Sequence, residues 1–205
     1  MNNCVFCKEG TDFSYAKSFL GNKWPFQNRV VYSDKHLFAV VGYGPQVCPY
    51  VLIIPYRHIL SLAQMNNNEK KSFLKCLQFL SSCGAYGESI HFFEHGGSSK
   101  DGSSSVDHCH VHIIDSKFMF FDYPSFSDFK NIENISELQS FSSAYYLIGE
   151  YSGGILKMKA QEDTRNEHQY LRKVLAEILG EKQWDWKADM KFDVMVNAMN
   201  AFCKT

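Results

Sequence analysis

Residues 108–114 read His108-Cys109-His110-Val111-His112-Ile113-Ile114, three imidazoles alternating with apolar side chains and closing on two isoleucines. Such alternation marks a β-strand, whose successive side chains point to opposite faces. His108, His110 and His112 are therefore expected on one face, with Cys109, Val111 and Ile113 packed into the other. A row of three imidazoles serves a core badly, because each buried ring needs a hydrogen-bond partner. A surface strand with one wet face would also carry the pattern. The Gly/Ser-rich stretch before the triplet and the two isoleucines after it favour a chemical site. A single metal ion held by all three rings fits poorly, since neighbouring same-face positions stand about 7 Å apart at Cα.

The rest of the chain can support such a strand. Its 205 residues suit one domain, or a small domain with an extension, and 45% are hydrophobic against 21% charged. A chain of this size buries roughly 70% of its unfolded surface, so it needs no staple to fold. A net charge of −1 argues against an extended nucleic-acid surface, while a small anionic ligand needs only a few local donors. No apolar run approaches the roughly 18 residues of a membrane span. The start, Met1-Asn2-Asn3-Cys4-Val5-Phe6-Cys7, has neither the basic opening nor the apolar stretch of a signal peptide. The seven cysteines are odd in number and irregular in spacing. They read as thiols of a reducing cytoplasm, apart from any that bind metal.

Apolar patterning predicts strands at 37–41, 50–54, 89–94 and 108–114. A helix of about 15 residues follows the caps Asn66-Asn67-Asn68 and carries Phe73, Leu77 and Leu80 on one face, with Gly84 as a stop. Residues 96–105 form a polar Gly/Ser stretch, and 122–140 read as a loop with weak helical character. A hairpin through Tyr151-Ser152-Gly153-Gly154 joins 144–150 to 155–160. Helices are predicted from about Asn166 to Leu179, ending at Gly180, and over a last segment carrying Phe192, Met195, Val196, Met199 and Phe202.

The triad motif resembles that of the histidine-triad (HIT) superfamily, His-φ-His-φ-His-φ-φ with φ apolar; Cys109, Val111 and Ile113-Ile114 fill the φ positions. The likeness extends upstream. The segment from Tyr50 to Ile59, with Ile54-Pro55-Tyr56-Arg57-His58, is similar to the family's strand ending in Ile-Pro-Lys-x-His, and Asp101-Gly102-Ser103-Ser104-Ser105-Val106 is similar to its Gly-x-Ser-Val phosphate loop. The resemblance covers residues 1–121 and implies an α+β fold: a HIT-like antiparallel β-sheet with flanking helices. Residues 122–205 would form a β-hairpin and helical extension packed on that core. It implies His110 as a nucleophile on phosphorus and His112 as a cation or proton donor to the phosphate or leaving group. Ser103, Ser104 and Ser105 would cradle the phosphate oxygens. A nucleophilic imidazole must be neutral, with one nitrogen donating a bond that frees the lone pair of the other. The resemblance implies a small phosphorylated substrate, most naturally a nucleotide, and His112 at the last triad position tilts the expectation to hydrolysis over transfer.

Cys4 and Cys7 form a Cys-x-x-Cys pair, which alone lacks two ligands for a tetrahedral zinc. Members of the family that begin with such a pair complete it with the His after Ile-Pro and the first triad His. The likeness therefore implies a structural zinc on Cys4, Cys7, His58 and His108. One departure is plain. Where nucleotide-binding relatives place Asp or Asn for the ribose, this chain has Gly42, so the nucleoside is less secure than the phosphorus chemistry. Tyr43, Phe38 and Leu37 are candidates to pack a base, and Glu94 and His95 to face the site. The extension, with Trp184 and Trp186, is weakly similar to the C-terminal region of CwfJ-type splicing-associated proteins; it would cover the sheet, shape the pocket or occupy a dimer surface, and a homodimer stays open. Rival readings are a nucleotidyltransferase or phosphorylase sharing the first step, and a non-catalytic nucleotide-binding protein.

Overall fold

A computed structural model describes residues 4–97, 106–141, 143–165, 167 and 169–203. The Asn66 side chain accepts from the backbone N–H groups of Asn68 and Glu69, and Glu69 answers by accepting from the Asn66 N–H. This reciprocal cap, a contribution of about 1 kcal/mol, starts the 16-residue helix Asn67–Ser82. Phe73, Leu77 and Leu80 on its inner face are fully buried, each contributing roughly 1.5–3 kcal/mol by leaving water.

Among the described residues eight strands form one sheet: β1 (Val30–Ser33), β2 (Leu37–Val41), β3 (Val51–Pro55), β4 (Ser89–Gly96), β5 (Val111–Asp115), β6 (Lys130–Ile132), β7 (Tyr145–Ser152) and β8 (Ile155–Glu162). Their order is β1-β2-β3-β5-β4-β7-β8-β6, and every pairing is antiparallel. The helices are α1 (Val5–Thr11), α2 (Tyr15–Leu20), α3 (Asn67–Ser82), α4 (Tyr170–Leu179) and α5 (Phe192–Cys203). Both faces of the sheet are covered. One, carrying Ala39, Ile53, Phe92, Val111, Ile113 and Leu147, packs on α3. The other, carrying Phe38, Leu52, Phe93, Ile114, Tyr146 and Ile148, packs on Phe6 of α1 and on Leu171, Val174 and Leu175 of α4. That double cover is why β2 and β3 are buried at every position and read as unbroken apolar runs.

This is the expected α+β fold, with differences that have physical reasons. The strand predicted from His108 begins at Val111, because the Cys109 N–H donates to Ile59 O and the His108 N–H to Val106 O instead of joining the ladder. The hairpin is present, yet β7 pairs with β4 at eight positions, from Ser89↔Ser152 to Gly96↔Tyr145. It widens the same sheet rather than lying over it. Strand β6 replaces part of a predicted loop; three residues, only Ile132 buried, are too few to show a period of two. Helix α4 starts at Tyr170, and Asn166 lies outside the described residues. Gly149 on β7 meets the Phe92 ring where a side chain would stand, so only glycine lets these two strands close.

Candidate active site and metal centre

Helix α1 brings Cys4 and Cys7 to the turn before β5. Cys4 Sγ lies 3.3 Å from His108 Nδ1, and Cys7 Sγ lies 3.3 Å from His58 Nδ1 and 3.5 Å from His108 Nδ1. The four ligating atoms are all within 4.8 Å of one another. A tetrahedral zinc with bonds of about 2.3 Å to sulfur and about 2.0–2.1 Å to nitrogen would hold S and N roughly 3.6 Å apart, so the spacing fits. The tautomer fits as well. His108 Nε2–H donates to the Pro55 carbonyl at 2.8 Å, leaving the Nδ1 lone pair toward the sulfurs, the outer partner typical of a ligating imidazole. Burial pushes the His108 ring down to about 4, which keeps it neutral. Burial first, then Cys4, push the Cys7 thiol up to about 11, a cost of enclosing two sulfurs that a cation would offset. Among the described residues this quartet is the cluster able to hold a metal.

Two residues on, His110 has different company. Its Nδ1 donates to the His108 carbonyl at 2.7 Å. A carbonyl only accepts, so the proton sits on Nδ1 and the Nε2 lone pair is free of it. Burial lowers the ring's basicity, and the Phe6 ring lies 5.3 Å away. His112 is held harder. Its backbone pairs with Leu52 on one side and Phe93 on the other. The Phe93 ring stacks flat on it at 4.6 Å and 9°, and Tyr50 Oη lies 2.7 Å from its Nδ1. Burial is the main cause holding this ring well below the usual histidine range. The two rings are 5.0 Å apart. The expected same-face row is thus present, although only His112 belongs to the strand proper.

His110 and His112 line a mostly apolar cavity of about 140 Å³, with walls from Phe6, Tyr43, Phe93, Tyr170 and Trp186. Arg29 and Glu9 sit in its wall as a buried ion pair, with the guanidinium 4.0 Å from the centre of the Tyr43 ring. Tyr43 and Trp186 stack at 6.1 Å and 28°. At Gly42 a Cβ would come within 2.7 Å of the Tyr50 ring; the missing side chain makes room for Tyr50. Of the other candidates, Phe38 and Leu37 are core residues with no exposure. His95 lines the cavity and holds Asp163 at 2.9 Å. Glu94 faces away from it. Its carboxyl accepts from Leu62 N–H, Tyr145 Oη and Cys109 Sγ, and burial pushes it up to about 7. Ser103, Ser104 and Ser105 lie outside the described residues.

Sequence reasoning missed Tyr50, Arg172, Arg29 and Glu9. Arg172 donates to Tyr50 Oη at 2.9 Å from 122 residues away. No local pattern marks it, beyond an arginine on the apolar side of an amphipathic helix.

An antiparallel sheet covered on both faces, with alternating histidines entering a central strand, defines the HIT-like α+β class. Residues 26–119, a little under half of the chain, match the family model of the HIT domain. An uncharacterized HIT-like protein of Methanocaldococcus jannaschii is 24% identical over 134 residues, 63% of this chain and 92% of its own length. Similar solved structures include a HIT family hydrolase from Clostridium thermocellum (22% identity, TM-score 0.39, 56% of this chain and 91% of that one). Another is a zinc-bound histidine triad family protein from Mycobacterium smegmatis (17% identity, TM-score 0.37, 56% and 75%).

Proposed function

We propose that this protein hydrolyses a phosphoanhydride, phosphoester or phosphoramidate bond of a small substrate, most naturally a nucleotide, through a covalent intermediate on His110. The observation that carries the reading is the 2.7 Å bond from His110 Nδ1–H to the His108 carbonyl, which leaves a neutral nitrogen lone pair at the cavity. The His110 Nε2 pair forms a bond to phosphorus. The bond from phosphorus to the leaving atom breaks, its electron pair departs with that atom, and His112 supplies the proton. Water then attacks phosphorus, the P–Nε2 bond breaks back to His110, and the water's proton returns to His112. The aromatic walls, Tyr43 with Trp186 in particular, suit a planar base. Ser103, Ser104 and Ser105 are proposed donors to the phosphate oxygens.

Zinc on Cys4, Cys7, His58 and His108 belongs to the same reading. It would act structurally, tying α1 to the turn before β5 and leaving His110 and His112 for substrate. A reducing cytoplasm would keep both cysteines as ligating thiolates. The test is intact-mass analysis after brief mixing with nucleotides and nucleoside phosphoramidates. An adduct on the native chain that is absent from His110→Ala supports the reading. Turnover with no adduct at any time, or an adduct that survives His110→Ala, would overturn it. Retention of zinc by Cys4→Ser/Cys7→Ser would remove the metal part alone.

A further inference from the structure

Arg172 lies on α4, 53 residues past the end of the HIT-domain match (172 minus 119), yet it reaches the centre of the site. All three guanidinium nitrogens donate: Nε to Trp184 O at 3.0 Å, Nη2 to Gly44 O at 2.7 Å and Nη1 to Tyr50 Oη at 2.9 Å. A fourth bond, from Gln46 Nε2 to Arg172 O at 3.0 Å, pins its backbone. Arg172 and Tyr50 are both buried, so water is a poor competitor for these groups.

Proton bookkeeping along the chain leaves one arrangement that gives the buried phenol proton a partner among the described residues. A guanidinium only donates, so the Tyr50 oxygen accepts from Arg172. The phenol has one proton of its own, and its other partner among the described residues is His112 Nδ1 at 2.7 Å. The phenol donates there, which makes Nδ1 the lone-pair nitrogen. A neutral imidazole carries one proton, and that proton is left on Nε2. Phe93, stacked flat on the ring, opposes the half-turn that would put Cδ2 in place of Nδ1 against the phenol. Burial, His110 and Arg172 all disfavour a second proton.

We propose that Arg172 and Tyr50 are positioning residues, a relay from the C-terminal extension that locks His112 as the neutral Nε2–H tautomer. His110 is fixed by a carbonyl as Nδ1–H, and His112 by a phenol as Nε2–H. Neighbouring rings thus hold opposite tautomers, one a nucleophile and the other an acid. As the Nε2 proton passes to the leaving atom, the phenol proton of Tyr50 moves to Nδ1, so the ring stays neutral. The phenolate is left beside the Arg172 guanidinium, and both protons return when water attacks. The choice of tautomer rests on hydrogen-bond geometry, and its use in leaving-group protonation rests on the function proposed above.

Long-range proton–nitrogen correlation on the full chain labelled with ¹⁵N-histidine separates the two layers. His112, assigned by its loss in His112→Gln, is expected to show a pyrrole-like Nε2 and a pyridine-like Nδ1. Tyr50→Phe and Arg172→Met are expected to shift it toward a mixture. An Nδ1–H tautomer in the native protein overturns the relay, and so does an unchanged spectrum in both variants; if either variant fails to fold, the native spectrum still decides. The kinetic arm compares a nucleoside phosphoramidate, whose alkylamine must be protonated to leave, with a nucleoside nitrophenyl phosphodiester, whose phenolate need not be. Tyr50→Phe is expected to lower kcat about 100-fold on the first and little on the second; equal losses on both count against it. A native enzyme that turns over neither ester nor amidate sinks the functional reading, while the spectrum still judges the relay.

Discussion

His108 and His112 stand two residues either side of His110, and the fold gives them opposite neighbourhoods. His108 turns its Nδ1 to two thiols and another imidazole while Nε2–H is tied to the Pro55 carbonyl. His112 meets a phenol backed by a guanidinium and lines an apolar cavity. The residue type, the spacing and the face are shared. What differs is the partner presented to each ring, and that partner decides whether the nitrogen lone pair points to a metal corner or the proton to a cavity. Under the proposed function, a triad of one residue type divides into an anchor, a nucleophile and an acid without any change of side chain.

If the corner and the cavity are separate devices, damage to one should spare the other. His110→Ala is expected to lower kcat on the order of 10⁴-fold with zinc content and Tm near native; a comparable loss of zinc would show that the two are one unit. Arg29→Met leaves Glu9 as a buried carboxylate without its partner, which costs about 3–5 kcal/mol. Thermal unfolding should register it together with a raised KM, since both residues line the cavity. Cys4→Ser/Cys7→Ser is expected to abolish stoichiometric zinc and to lower stability on the order of 3 kcal/mol, about 6–12 °C in Tm for a domain of this size. A chelator should reproduce the shift in the native chain and do nothing further to the variant.

The smallest effect lies on the sheet's opposite face. Glu94 carries a folded-state value of about 7 against 4.5 for the free carboxyl. A raised acid favours the folded state while protonated, so its contribution is full below about pH 4.5 and is lost as pH rises through about 7. The part lost between pH 5 and pH 8 is roughly 2–3 kcal/mol. Urea unfolding at pH 5 and pH 8 should show native stability falling, and Glu94→Gln should flatten that slope. A slope unchanged in the variant would assign the titration elsewhere.

The triad and the metal quartet were legible because each is written in short range or in fixed pairs. The alternation of residues 108–114 survives although the ladder starts at Val111, since the backbone stays extended enough to keep Cys109 with the α3 face and His110 with the cavity. Cys-x-x-Cys supplied half a tetrahedron, and the resemblance supplied His58 and His108. The cavity's own determinants were hidden. Tyr50 read as part of a buried strand, and Gly42 showed as a missing ribose contact before its space was seen to hold the Tyr50 ring. Arg172 looked like an ordinary residue of an amphipathic helix, because nothing local records a partner 122 positions away. The same holds for β7. Its apolar pattern announced a hairpin, but which strand it would join depends on the free edge of β4, set far upstream.

The covalent step on His110 is tested most directly by the stereochemistry at phosphorus. Hydrolysis in ¹⁸O-water of a nucleoside phosphorothioate with a chiral phosphorus counts displacements, since each in-line attack inverts the centre. Two attacks, by His110 and then by water, yield overall retention, the outcome expected here. Inversion would mean that water attacks the substrate directly, and would contradict the account.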